Sequence, residues 1–120
     1  MIHTIAFVAI VMIGILLAVI TISAETYTGI AGFDITWTLD TETGVMEFSG
    51  EGSMDSFKYG WNKYASSVKT VIISDGITSI GENAFRSCEN LTEVRLSRDL
   101  EEIGEGAFWG CKSLTPSITS

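Results

Sequence analysis

Three patterns of apolar and polar positions follow one another along the chain. From Ile5 to Ile22 every residue except Gly14 and Thr21 is apolar, and none is charged. A run of 18 such residues predicts a continuous apolar helix, at the lower edge of what spans a hydrocarbon core. From Ile35 to Leu39 apolar and polar residues alternate strictly, which is the period of a half-buried strand. Asp40-Thr-Glu-Thr-Gly44 is a turn cluster, and Val45 to Ser49 reads as the returning strand of a β-hairpin. Met46 and Phe48 share one face of that strand, the face expected to meet Trp37 and Leu39.

The third pattern is an internal repeat. Val68, Val71, Ile73, Ile77, Ile80-Gly81-Glu82, Ala84-Phe85 and Cys88 recur as Leu91, Val94, Leu96, Leu100, Ile103-Gly104-Glu105, Ala107-Phe108 and Cys111. The offset is 23 residues throughout, and eight of the 23 aligned pairs are identical. Average residue usage would give about one or two. A further copy opens at Leu114. A period of this length with a Leu-x-x-Leu-x-Leu core is the leucine-rich-repeat pattern. Val71 and Ile73 are two apart, so a strand points both inward and Ile72 outward. Ile77 and Ile80 return a second apolar ridge to the core, Phe85 fills the coil and Cys88 closes it. Val94, Leu96, Leu100, Ile103, Phe108 and Cys111 repeat those roles. One coil cannot bury its apolar side alone, so neighbouring coils must stack.

The expected fold is a β-rich leucine-rich-repeat solenoid of about two and a half 23-residue coils. An N-terminal β-hairpin cap covers its first coil, and an apolar export or anchor helix precedes the cap. The corresponding segments are 1–24, 25–67 and 68–120, with repeats at 68–90 and 91–113 and a partial one at 114–120.

Residues 29–114 resemble the bacterial BspA-like leucine-rich-repeat proteins, including their N-terminal module. The resemblance is carried by Ile35-Thr-Trp-Thr-Leu39, Gly44, Ser49-Gly-Glu-Gly52, Trp61 and the twice-occurring Ile-Gly-Glu-x-Ala-Phe-x-x-Cys unit. Two positions depart from the family: Ala31 stands where relatives often carry cysteine, and Gly60 precedes Trp61 where proline is common. The resemblance implies a secreted or cell-surface protein of the kind found in host-associated microbes. It also implies a protein-binding or adhesion role toward an extracellular or host-surface protein.

Charge and composition narrow the chemistry. The net charge is −8, and the seven acids between Glu25 and Phe57 are accompanied by no Lys or Arg. A chain without a basic run repels a phosphate backbone, so nucleic acid is not an expected partner. An apolar segment followed by acids alone is readily exported. Ile22-Ser23-Ala24 offers a signal-peptidase site of partial quality, so the leader reads either as a cleaved signal peptide or as a retained transmembrane anchor. His3 is the one histidine, which leaves the rest of the chain without imidazole for nucleophilic or zinc chemistry. Neither catalysis nor a cofactor is expected.

Individual candidates are weak. Cys88 and Cys111 stack one coil apart, either as a buried thiol ladder or as a disulfide. Asp40, Glu42 and Gly44 lack the ligand run of a calcium loop and read as a hairpin turn. Glu101, Glu102 and Glu105 fall on an exposed bend, with no cleft implied that would make them an acid–base pair. Asn90-Leu-Thr92 matches a glycosylation acceptor by pattern, but reads in preference as a turn opening a repeat. The remaining partner surface is the outward face of the repeat strands: Lys69, Thr70, Ile72, Ser74, Thr92, Glu93, Arg95 and Ser97. The open C-terminal edge also invites self-association. The contrasting reading is a structural portion of a longer surface protein, with no partner of its own.

Overall fold

A computed structural model describes residues 5–9, 20–54 and 60–115. Ile5–Ala9 (β1) and Ile20–Ala24 (β2) pair antiparallel, with Ile5 opposite Ala24. The export helix expected over Ile5–Ile22 is not shown. The two ends of the run are strands, rich in β-branched residues that fit them, and residues 10–19 lie outside the described residues. Among the described residues no helix is long and apolar enough to cross a membrane.

The body of the protein is a six-stranded sheet system of Thr26–Asp40 (β3), Val45–Met54 (β4), Thr70–Ile73 (β5), Ile77–Ile80 (β6), Glu93–Arg95 (β7) and Glu102–Ile103 (β8). β3 and β4 form the expected hairpin, from Asp40 opposite Val45 to Thr36 opposite Ser49. Its turn closes through the Gly44 amide, which donates to the Asp40 carbonyl at 2.8 Å. Gly44 has φ +77°, and a Cβ there would come within 2.6 Å of Lys69 Cγ, so glycine is required twice over.

Beyond the turn, β4 does more than cap. Its first half pairs in parallel with β5, Met46 against Val71 and Phe48 against Ile73. Its second half pairs in parallel with β6, Gly52 against Ile77. One strand thus turns a corner and serves two sheets. The corner lies at Gly50 and Gly52, with φ +130° and +94°, and a Cβ on Gly50 would overlap the Asp34 carbonyl oxygen. The next level repeats the arrangement: β5 pairs with β7, Val71 against Val94, and β6 with β8, Ile80 against Ile103. Each residue meets its counterpart 23 positions on, which is the register the repeat demands. The hairpin expected as a lid is therefore itself a rung of the ladder.

The core follows from this stacking. Leu39, Met46, Phe48, Trp61, Val68, Val71, Ile77, Phe85, Leu91 and Val94 are fully buried, and Ile73, Ile80 and Cys88 nearly so. Trp61 opens a 3-10 helix, Asn62–Ser67, and occupies the place of a preceding coil's phenylalanine. Its indole lies 6.1 Å from the Phe85 ring and donates from Nε1 to the Ala84 carbonyl at 2.8 Å. Phe85 in turn stacks on Phe108 at 5.5 Å, with Phe48 edge-on to both Trp61 and Phe85. Such ring pairs contribute about 0.5–1.5 kcal/mol each beyond area burial.

The inward positions of the second repeat are less covered. Leu96, Leu100, Phe108 and Cys111 are half-buried and Ile103 is 44% exposed, whereas their first-repeat counterparts are all buried. No described residue lies over their far side. Ile103, expected in the core, is 44% exposed, because β8 is the outermost described strand on its side of the sheet.

Phe85→Ala is expected to cost about 3–5 kcal/mol, as for other large-to-small changes at fully buried aromatics, and Phe108→Ala clearly less; urea midpoints with unchanged m-values would show the order. The two buried indoles provide a second contrast. Among the described residues Trp37 Nε1 meets no hydrogen-bond partner, whereas Trp61 Nε1 has one. Trp61→Phe orphans the Ala84 carbonyl and is expected to lower the midpoint more than Trp37→Phe.

Candidate functional surface

The strand registers define two cross-strand rows on the outer face of the sheet. One runs Thr38–Glu47–Ile72–Arg95 and the other Asp40–Val45–Thr70–Glu93. Side chains alternate along each strand, so these rows face away from the buried set of Trp37, Phe48, Val71 and Val94. The face spans four strands rather than the repeat strands alone. Thr36, Thr38, Asp40, Val45, Glu47 and Ser49 are the members that sequence reasoning left out. The outward direction of Thr36, Thr38, Glu47 and Ser49 was legible in the alternation of 35–39 and 45–49, but the parallel pairing of β4 with β5 was not.

The singled-out residues fall as follows. Lys69, Thr92 and Arg95 are exposed, and Thr70, Ile72, Ser74 and Glu93 are half-buried. Lys69 packs its stem over Gly44, while its amide and that of Thr70 donate to the Gly44 carbonyl at 2.7 and 3.0 Å. Thr92 Oγ1 donates to the Lys69 carbonyl at 3.2 Å, which commits it to holding the coils together. Arg95 Nε pairs with Glu93 Oε2 at 2.9 Å on the same strand. Ser97 departs from the expectation. It is 3% exposed and its Oγ accepts the Asp99 amide at 3.0 Å, because the chain has already left β7 and is turning the corner there.

That corner carries a second set of inter-coil contacts. Asp75 Oδ1 accepts the Arg98 amide and Oδ2 the Arg98 guanidinium, both at 2.8 Å, while Asp99 Oδ2 accepts the Gly76 amide at 2.8 Å. The bonds from the Arg98 backbone and then its side chain hold the Asp75 carboxyl below the usual carboxylate range.

Cys88 and Cys111 are free thiols. Cys111 donates to the Phe85 carbonyl at 3.1 Å. Burial, with a smaller contribution from Cys111, pushes the Cys88 thiol up to about 12, and burial raises Cys111 as well. Neither is arranged as a nucleophile, which needs a stabilised thiolate. Asp40 Oδ1 accepts the amides of Glu42 and Thr43 at 2.8 and 3.3 Å, as a turn residue does. Asn90 Nδ2 donates to the Ser66 carbonyl at 2.8 Å, tying the repeat to the preceding 3-10 helix. Glu101, Glu102 and Glu105 are exposed. Among the described residues no group of three or more His, Cys, Asp or Glu side chains is placed to hold a metal ion.

A parallel ladder repeating every 23 residues, an aromatic stack along its axis and a polar outer strand face define a leucine-rich-repeat solenoid. The family model described as "BspA type Leucine rich repeat region (6 copies)" matches residues 56–120, more than half of the chain, and the protein belongs to that family. A leucine-rich repeat protein of Eubacterium ventriosum is similar in structure, with a TM-score of 0.71 and 33% identity; the match covers 79% of this chain and 26% of that one. The chain thus spans about a quarter of that relative's length. A leucine rich cell surface protein of Faecalibacterium prausnitzii is 20% identical over 78% of this chain and 31% of its own, with a TM-score of 0.41. Among curated proteins none matches the chain.

The Asp75 carboxyl is expected to titrate below the unfolded value of about 3.9. Its stabilisation is therefore present above that value and lost as pH falls through the folded one, and Asp75→Asn should remove that part of the acid sensitivity. Carboxyl-resolved NMR titration with acid-unfolding curves checks both. With both thiols shifted upward, a thiol reagent at about pH 8 is expected to react slowly with the native protein and rapidly with both cysteines in urea, where they return toward about 8.5.

Proposed function

We propose that this protein is an exported, non-catalytic binding module that docks an extracellular protein on the four-strand outer face. The observation that carries the reading is the Thr38–Glu47–Ile72–Arg95 row. It sets an exposed guanidinium beside a half-exposed isoleucine on a rigid sheet, the mixture that partner surfaces favour. Solenoids present such stacked strand faces to their partners. Family membership supports a secreted or cell-surface location, and the residue 1–24 run, free of charge from Ile5 to Ile22, supports a signal peptide or membrane anchor.

A second reading rests on coverage: the match takes in 26% of the Eubacterium relative. In that reading the chain corresponds to one portion of a longer surface solenoid, and the half-covered row of Leu96, Leu100, Ile103 and Phe108 is where a further coil or a second copy stacks.

Immobilised extracellular-matrix glycoproteins are expected to retain the wild-type protein, and the double variant Ile72→Asp, Arg95→Glu to lose at least tenfold in affinity with an unchanged circular-dichroism spectrum. Retention that is equal for both proteins would remove the strand face from the reading. Sedimentation is expected to show concentration-dependent self-association that Ile103→Lys reduces; a monomer unaffected by that change would count against the stacking edge.

A further inference from the structure

The two repeat turns that follow β6 and β8 lie one above the other, and a cleft of about 470 Å³ opens between them. Its walls are Glu82, Asn83 and Arg86 from one turn and Glu105, Gly106 and Trp109 from the next. The amides of Asn83, Phe85 and Ser87 donate to the carbonyls of Glu105, Ala107 and Trp109 at 3.0, 2.8 and 2.7 Å, so the cleft has a rigid floor. Asn83 holds a left-handed conformation, φ +56°, and so does Gly106, φ +70°. A Cβ on Gly106 would run into the Asn83 side-chain oxygen, so glycine is what allows the Asn83 amide to lie across the cleft.

Trp109 sets the chemistry. Of the three tryptophans, Trp37 and Trp61 are buried, whereas Trp109 is 61% exposed. The Arg86 guanidinium lies 4.5 Å from its ring centroid and fixes the indole's orientation through one face. Trp109 and Gly106 are also where the second repeat departs from the first, which has Arg86 and Asn83 at the equivalent positions, while Glu82 and Glu105 are the same. Coil packing does not require the departure, since Trp109 contributes little to the core.

The cleft therefore combines a held aromatic plane, two carboxylates, an amide and a guanidinium. Two carboxylates against one guanidinium leave the walls with a formal charge of −1, which disfavours an anion, and the Arg86 guanidinium already on one face of the indole disfavours a second cation beside it. A neutral ligand with an apolar face and a rim of hydroxyl groups satisfies every wall. The volume falls within the range of about 300–1,000 Å³ typical of small-molecule sites. We propose that this cleft is a subsite for a neutral pyranose sugar, stacked on Trp109 with its hydroxyls held by Glu82, Glu105 and Asn83. The site uses none of the residues of the strand face and is independent of the docking reading above.

The test uses the full chain titrated with cellotriose, maltotriose, xylotriose and N,N′,N″-triacetylchitotriose, with oligolysine as the cationic comparison. Trp109 is the exposed indole, so acrylamide quenching reports on the cleft. At least one of the neutral oligosaccharides is expected to protect it saturably, with a Kd of about 1 mM or tighter. By calorimetry, Trp109→Ala and the double variant Glu82→Gln, Glu105→Gln should bind that sugar at least tenfold more weakly. Trp109→Phe, which keeps a ring, should retain most of the affinity, and Ile72→Asp with Arg95→Glu should bind as the wild type does. Circular dichroism identifies any variant that fails to fold, and if Trp109→Ala does so, the double variant Glu82→Gln, Glu105→Gln carries the comparison. The proposal is overturned if no neutral oligosaccharide binds in that range, if oligolysine protects Trp109 while the sugars do not, or if Trp109→Ala binds sugar undiminished.

Discussion

A coil of about two dozen residues cannot enclose a core, and the structure depends on how that shortfall is met. Each coil presents Val71, Ile73, Ile77, Ile80 and Phe85, or their counterparts, to a shared interior and leaves its flank bare until a neighbour covers it. Parallel pairing at a spacing of 23 residues brings like residues into contact, so the fit solved for one pair of coils serves the next. The stack of Trp61, Phe85 and Phe108 is the clearest expression of that rule. Where a neighbour is present the residues are dry. Where no described residue follows, the same side chains are half-exposed.

The beginning of the stack shows how a different sequence meets the same requirement. β3 and β4 carry no copy of the repeat, yet β4 pairs with β5 and then, past its glycine corner, with β6. Trp61 reaches the Ala84 carbonyl and stands beside Phe85 as a preceding phenylalanine would. An antiparallel hairpin on one side and a parallel ladder on the other give the first coil a cover without leaving its strand edge unpaired. Ion pairs add orientation at the rim: Asp75 with Arg98, Glu89 with Lys112 and Glu93 with Arg95 are all solvent-exposed, and the first two link residues 23 apart.

The surfaces follow from the same geometry. A repeating coil generates rows, and a row acquires chemistry only where the repeats differ. On the strand face Ile72 is succeeded by Arg95, which gives that row its mixed character. In the turns Arg86 is succeeded by Trp109, which produces a held indole beside two carboxylates. Identical positions build the fold, and unlike positions distinguish this solenoid from another of equal shape.

Much of this was legible in the sequence, because a period is a local property. The 23-residue offset, the inward pair at Val71 and Ile73, the hairpin around Gly44 and the solvated turn at Asp40 all follow from spacing and from the conformations each residue allows. The outward direction of Thr38 and Glu47 was equally readable. Three things were decided in three dimensions. β4 became a rung because parallel pairing joins segments whose residue types carry no mark of one another. Ser97 was withdrawn from the strand face because β7 ends at Arg95 and the chain has turned inward by Ser97. Ile103 lost its cover and Trp109 gained a cleft because burial depends on which neighbour lies on each side. A sequence states which side of a residue is apolar, but only the assembled stack determines whether anything lies against it.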